Sequence, residues 1–174
     1  FAAHDPGAKN HIRPIYERAL TLGEAPEFID LSSSNEFMDY DAACSLVPTL
    51  RPELLIAGCS ANQAEWALVC ACKHMGVDSI VMVDLAVAGK LDTVRLEDFP
   101  RCFMVTNTHC KEEVIARGAL PESVVVTGSA HLERLSKREL GKDELEIKQW
   151  YGIDNSSDIV PFFCAPDLDS SIEA

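Results

Sequence analysis

Short apolar runs of strand length alternate with segments of helical spacing along most of the chain, and this alternation constrains the fold more than any other feature. Several helix-like segments end at a glycine, which is typical of a helix C-terminus. Right-handed crossovers through such helices produce parallel strands with helices packed over the sheet. The predicted strands cover residues 1–3, 28–31, 54–58, 79–84, 102–105 and 124–128. The sequence therefore predicts an α/β fold: a Rossmann-like parallel sheet with helices on both faces, in three layers.

The connecting segments differ in how apolar they are. In the first, apolar residues recur at helical spacing from Ile12 to Leu20, and the pattern stops at Gly23. The helix predicted over 62–75 is apolar almost all round, which indicates burial between layers. Residues 85–100 form a long connection without a strong pattern, and connections of this length are often functional.

The last part of the chain has a different character. A charged helix is predicted over 142–151, and a new apolar run begins at 159–164 without the remainder of a sheet. We expect a Rossmann-like amino-terminal domain over 1–141, a linker helix and loop over 142–157, and the start of a truncated second domain over 158–174.

The formal charge of the chain is −13, from 28 acidic and 15 basic residues. A protein of this charge repels nucleic acid and anionic membranes, so we expect neither as a partner. No apolar stretch reaches the length of about 20 residues that spans a bilayer, and no signal-peptide pattern is visible. Seven cysteines, an odd number, lie mostly in apolar runs, which favours reduced thiols and a cytoplasmic location. The histidines lack metal-ligand spacing, so no metal site is expected.

Small polar residues follow the predicted strands. In parallel sheets of this kind, ligands bind beyond the carboxyl ends of the strands. Backbone N–H groups at the helix starts there can hold a phosphate or a sugar hydroxyl, although the same residue types are also ordinary helix caps. The candidate ligand-binding residues are Asp5, Gly7, Ser60, Asn62, Thr106, Asn107, Gly128 and Ser129.

The loop after the first strand carries the most suggestive chemistry. His4 and Asp5 stand where the strand ends, and His11 stands at the entrance of the first helix. An imidazole beside a carboxylate is suited to general-base catalysis, and the two histidines compete for that role. Either one is equally well explained as a structural or solvent-facing residue. No G-x-x-x-x-G-K-[ST] or G-x-G-x-x-G motif is present, which disfavours a phosphate-loop NTPase and a standard dinucleotide fold.

Two segments resemble a known family. Residues 7–14, Gly-Ala-Lys-Asn-His-Ile-Arg-Pro, resemble the G-x-x-x-H-x-x-P loop after the first strand of glycosyltransferases of the B fold. Residues 125–132, Val-Val-Thr-Gly-Ser-Ala-His-Leu, resemble the V-x-V-T-G-N segment that closes the amino-terminal domain of that family. The stretch 102–132 is also similar to sugar-nucleotide 2-epimerases and sugar-acid transferases of the same superfamily.

The resemblance implies the first half of a two-domain B-type glycosyltransferase fold, with acceptor recognition in this half. It implies that His11, or His4, is the catalytic base and that Asp84 orients the base or binds an acceptor hydroxyl. A nucleotide-sugar is then the donor substrate, a small molecule or glycan is the acceptor, and no further cofactor is needed. The function expected is that of a glycosyltransferase-like or nucleotide-sugar-processing protein, such as a transferase, epimerase or hydrolase.

Two other classes of protein remain open. A non-catalytic sugar-binding, nucleotide-binding or scaffold domain would use the same edge of the sheet without turnover. A flavodoxin-like domain would bind a free cofactor there. The sequence also leaves the oligomeric state open, a homo-oligomer included.

Overall fold

A computed structural model of the chain describes residues 1–32, 38–60, 64–84, 89–92, 94–137 and 144–158. The chain divides into two compact units, Phe1–Lys137 and Arg138–Ala174. Asn62 and the apolar run at 159–164 lie outside the described residues.

The first unit is a six-stranded, all-parallel sheet with helices between the strands. The strand order is β2-β1-β3-β4-β5-β6. The strands are β1 (Ala2–Ala3), β2 (Ile29–Asp30), β3 (Leu54–Ala57), β4 (Asp78–Val83), β5 (Cys102–Val105) and β6 (Val124–Val126). The helices are α1 (Pro6–Thr21), α2 (Tyr40–Leu50), α3 (Ala64–His74), α4 (Thr108–Ala116) and α5 (Ala130–Ser136). The predicted α/β fold with a parallel sheet is confirmed.

The two faces of the sheet are covered by different helices. Side chains alternate along β3 and β4, so Leu55, Ala57 and Val81 share one face and bury against the apolar sides of α2, α3 and α4. The opposite face, which includes Met82, packs against Ile12 of α1. Helix α1 also packs on α5. This arrangement gives the three layers that the crossover rule predicts.

The strand order reverses between β1 and β3. From β1 the chain crosses outward to β2, and it then returns to pair β3 on the other side of β1. The loops that leave β1 and β3 therefore diverge, and parallel sheets bind ligands in the crevice at such a switch point.

Helix α1 begins earlier than the apolar pattern predicts. Its first residue is Pro6, although the sequence reads as a turn-rich loop as far as Asn10. The side chain of Asp5 accepts a hydrogen bond of 2.7 Å from the backbone N–H of Ala8, and proline is favoured in the first turn because it has no N–H to leave unpaired. Gly7 is therefore part of the first helical turn.

The described part of the second unit contains helix α6 (Glu144–Tyr151). The backbone N–H of Ile153 donates to the carbonyl of Lys148 at 2.8 Å, which closes the helix after Gly152. The ammonium of Lys148 donates to the carbonyl of Asn155 at 3.0 Å. The predicted limits at 141 and 157 stay predictions.

Six cysteines in the described residues are free thiols. Burial raises the pKa of the Cys59 thiol to about 12, so this thiol stays protonated at neutral pH. Among the described residues, no helix is long and apolar enough to cross a membrane.

Candidate functional site

The ends of β1 and β3 are joined by one buried carboxylate. Glu65, on the first turn of α3, accepts a hydrogen bond of 2.9 Å from the backbone N–H of His4, and its same oxygen, Oε1, accepts one from the hydroxyl of Ser60. Glu65 and Ser60 are both buried. The two predicted residues His4 and Ser60 are therefore brought together at the switch point by a residue that the sequence did not single out.

Close packing joins the start of α1 to the end of β4. A Cβ atom at Gly7 would lie 2.6 Å from Oδ2 of Asp84, so the absence of a side chain there lets Asp84 approach the first turn of α1. The other oxygen of Asp84, Oδ1, forms an ion pair of 2.7 Å with the ammonium of Lys90. Both of these charged side chains are largely buried, at 17% and 18% exposed, so the pair is shielded from solvent.

His11 is buried on the inner side of α1, with 3% of its surface exposed. Burial lowers the pKa of this imidazole below its ordinary value of 6.5. The nearby carboxylate of Asp84 acts in the opposite direction, and His131 and Lys90 lower the pKa further. His11 is therefore neutral at pH 7, as a general base must be before it accepts a proton. The alternative in which His11 faces solvent is wrong.

The end of β6 reaches the same region. The hydroxyl of Ser129 lies 3.3 Å from Nδ1 of His11 and also accepts the helix-capping bond from the backbone N–H of Leu132 at 3.3 Å. The preceding residue, Gly128, has a φ of 75°, a left-handed conformation that glycine adopts without steric cost. Nε2 of His11 is buried and has no hydrogen-bond partner among the described residues.

The side chains of Thr106 and Asn107, which follow β5, make no described bond to this cluster. Asn107 caps α4 by accepting a bond of 2.9 Å from the backbone N–H of Cys110, and its amide group donates to the hydroxyl of Thr106 at 3.3 Å. Thr106 also lies 3.5 Å from the sulfur of Cys110. These contacts correspond to ordinary helix capping, the alternative that the sequence left open for both residues.

His4 and Asp5 both fix the start of α1. The backbone N–H of His4 is held by Glu65, and the side chain of Asp5 caps α1. The imidazole of His4 makes no hydrogen bond or ion pair within the described part of the chain, whereas His11 is held by Ser129. The geometry therefore favours His11 over His4 as the candidate base.

Glu65 and Lys90 are site residues that the sequence did not indicate. The sequence does not indicate Glu65 as a site residue, because a carboxylate in the first turn of a helix is usually explained by the helix dipole. Its signal was a single charge inside the apolar sequence Ala64-Glu65-Trp66-Ala67-Leu68. Lys90 lies in the long patternless connection, where the sequence offers no periodicity that predicts which way a side chain points.

The site carries three carboxylates, on Asp5, Glu65 and Asp84, near the ammonium of Lys90. A Cβ atom at Gly7 would lie 2.6 Å from Oδ2 of Asp84 and 3.3 Å from Oδ1 of Asp5, and all four charged groups act on the pKa of the buried Cys59 thiol. A carboxylate accepts hydrogen bonds from hydroxyl groups and repels phosphate. Asp5 and Asp84, which are only partly buried, are therefore suited to a ligand hydroxyl more than to a polyanion.

No group of three or more His, Cys, Asp or Glu side chains in the described residues is placed to hold a metal ion. In comparisons with known proteins, no family model and no curated protein sequence matches the chain. The fold and the site geometry are thus the observations on which a function can be argued.

Proposed function

We propose that the first unit is the acceptor-binding domain of a glycosyltransferase-like or nucleotide-sugar-processing enzyme, with His11 as its base. The observation that carries this proposal is the state of His11. Its imidazole is buried, its pKa is lowered, Ser129 holds one ring nitrogen, and the other nitrogen has no described partner. Perturbed titratable groups at the carboxyl edge of a parallel sheet are typical of active sites.

In the proposed reaction, an acceptor hydroxyl or a water molecule enters beside the buried Nε2 of His11, and this nitrogen takes its proton. The resulting oxygen nucleophile forms a bond to the anomeric carbon of the donor, and the bond from that carbon to the nucleotide diphosphate breaks, with its electron pair leaving on the phosphate. The carboxylate of Asp84 would accept a hydrogen bond from an acceptor hydroxyl or stabilise the imidazolium that forms. Its ion pair with Lys90 keeps the carboxylate oriented.

The test is turnover in the full-length protein with UDP-N-acetylglucosamine, UDP-glucose and GDP-mannose, with products identified by mass spectrometry. Replacing a general base typically costs a factor of about 10² to 10⁴ in rate, and we expect a loss of this size for His11→Ala. His4→Ala should retain most of the wild-type rate. Unchanged turnover in His11→Ala would show that the proposed base is wrong.

A second candidate function is binding without catalysis. Asp84 is engaged by Lys90, and the group that orients His11 is a hydroxyl where many catalytic histidines have a carboxylate. If the full-length protein is stabilised by one of the three nucleotide-sugars and yields no product, this second function is favoured.

A third candidate follows from the strand order. The first five strands have the order 2-1-3-4-5 of flavodoxin-like domains, which bind a flavin at the same switch point. The absorption spectrum of the purified protein tests this candidate, because a bound flavin colours the protein yellow. A colourless preparation that takes up no added flavin mononucleotide excludes it.

A further inference from the structure

Glu65 is a buried charge that the proposed reaction does not use. Its side chain is fully buried, with 0% of its surface exposed, on a helix whose neighbouring residues Ala64, Trp66, Leu68 and Val69 are also buried. Burying a carboxylate is costly unless it is well hydrogen-bonded, and apolar replacements of buried charges are often neutral or stabilising. If residue 65 served only to fill the core, an apolar side chain would do so without the free-energy cost of burying a carboxylate.

The bonds of Glu65 connect the two loops at the switch point. Oε1 accepts from the backbone N–H of His4, which is 61 positions away in sequence, and from the hydroxyl of Ser60. The loop after β1 is thereby fixed to the loop after β3. Oε2 is buried and has no partner in the described part of the chain, so Glu65 acts through a single oxygen.

The position of His4 determines where α1 begins, and α1 carries His11. Asp5, next to His4, caps α1, and a Cβ atom at Gly58 would lie 2.6 Å from Cβ of Ala8 and 3.2 Å from Oε1 of Glu65. The first turn of α1 is therefore packed directly against the end of β3 beside the Glu65 carboxylate. A loss of the Glu65 bonds would let this turn, and His11 with it, move away from Asp84.

We propose that Glu65 is a positioning residue, whose Oε1 fixes the start of α1 and thereby places His11 in the site. The role requires a side chain long enough to place an acceptor oxygen at the His4 amide, and it does not require the negative charge. This inference rests on the proposed function, because His11 is the group being placed.

Two substitutions test the length of the Glu65 side chain separately from its charge. Glu65→Gln keeps the length of the side chain and an acceptor oxygen but removes the charge, whereas Glu65→Asp keeps the charge but is one methylene shorter. In the full chain, two NMR measurements are made: hydrogen-exchange protection of the His4 amide, relative to that of the core amides of Val81 and Val83, and the pH titration of the His11 imidazole. An exposed helical glutamate, Glu112, is changed to Gln as the matched control.

For Glu65→Gln and for the control, we expect His4 protection and the His11 titration to stay as in the wild type. For Glu65→Asp, we expect the relative protection of His4 to fall by about fivefold, as for the loss of one ordinary hydrogen bond. The His11 pKa should rise toward its ordinary value, because a loosened α1 admits water. Two results would overturn the proposal. One is a Glu65→Asp variant in which the protection of the His4 amide and of the core amides falls equally. The other is wild-type His4 protection in Glu65→Asp together with reduced His4 protection in Glu65→Gln.

Ser60→Ala provides a second variant if Glu65→Asp does not fold. It removes one of the two donors to Oε1 and leaves the His4 bond in place, so the His4 amide should stay protected. If the His4 amide of Ser60→Ala exchanges as fast as in an unfolded chain while the amides of Val81 and Val83 stay protected, the assignment of the His4 bond to Glu65 is contradicted. These outcomes do not depend on turnover: if they are as expected and His11→Ala retains full activity, the positioning role stands and the proposed function fails.

Discussion

The strand ends of this sheet carry similar small polar residues, yet two regions use them differently. The loops after β1 and β3 are bonded to each other through Glu65, and Asp84 after β4 packs against Gly7. After β5, the described bonds of Thr106 and Asn107 stay within that loop and the first turn of α4. The difference teaches that membership of a site depends on contacts distant in sequence, which the residue type at a strand end does not reveal.

Gly58→Ala should have the largest effect on stability. The added methyl group would overlap Cβ of Ala8, on the first turn of α1, so helix and strand must separate. Overpacking of this kind costs about 1–3 kcal/mol, and each kcal/mol lowers the melting temperature by about 2–4 °C in a chain of this size.

Gly7→Ala is the informative control for that variant. A methyl group at position 7 meets only the ends of side chains, Oδ2 of Asp84 at 2.6 Å, which can rotate away, and Oδ1 of Asp5 at 3.3 Å. We expect a smaller loss of melting temperature by calorimetry, together with a disturbed Asp84–Lys90 ion pair. Equal melting temperatures for Gly58→Ala and the wild type would mean that α1 and β3 are not packed as described.

The helix caps provide a direct test of the contrast between the two regions. Asp5, Asp39 and Asn107 each accept a bond from a backbone N–H three residues later, at 2.7, 2.8 and 2.9 Å. Replacement by alanine should cost about 1 kcal/mol in each case, measured by urea unfolding. Only Asp5→Ala should shift the NMR resonances of the His11 imidazole, because only Asp5 starts the helix that carries it. A comparable shift of the His11 resonances in Asn107→Ala would show that the loop after β5 belongs to the site.

Protonation of His11 should make stability depend on pH. Burial lowers the folded-state pKa of His11 below 6.5, so the unfolded chain binds more protons between the two pKa values. The free energy of unfolding should therefore fall as the pH is lowered from about 6.5 to the folded pKa of His11, and it should be fully present only above about 6.5. Urea unfolding at several pH values measures this slope.

His11→Gln should reduce that acid-side slope, since glutamine does not titrate. Asn10→Ala, at the exposed neighbouring position on α1, keeps the imidazole and should keep the wild-type slope. An unchanged slope in His11→Gln would show that His11 titrates alike in the folded and unfolded states, contrary to its burial.

Periodicity was sufficient to predict the fold, because alternating strands and helices allow few arrangements of a parallel sheet. It also placed His4, Asp84 and Ser129 at the strand ends. It could not separate Ser129, which bonds His11, from Asn107, which caps its own helix, since both have the same local pattern. Glu65 lay beyond prediction for a related reason: its partner His4 is brought near only by pairing of β1 with β3.

Ser129→Ala should have the smallest effect on stability and a clear effect on the base. Its capping bond is long, at 3.3 Å, and α5 is short, so we expect a cost near the lower limit for caps, about 0.5 kcal/mol. For Nε2 of His11 to accept a proton, Nδ1 must carry the ring hydrogen and donate it to the Ser129 hydroxyl. Long-range ¹H–¹⁵N NMR should therefore detect the Nδ1–H tautomer in the wild type and a loss of that preference in Ser129→Ala. A wild-type imidazole with its proton on Nε2 would make His11 a hydrogen-bond donor to the ligand, and the catalytic base would then have to be sought elsewhere.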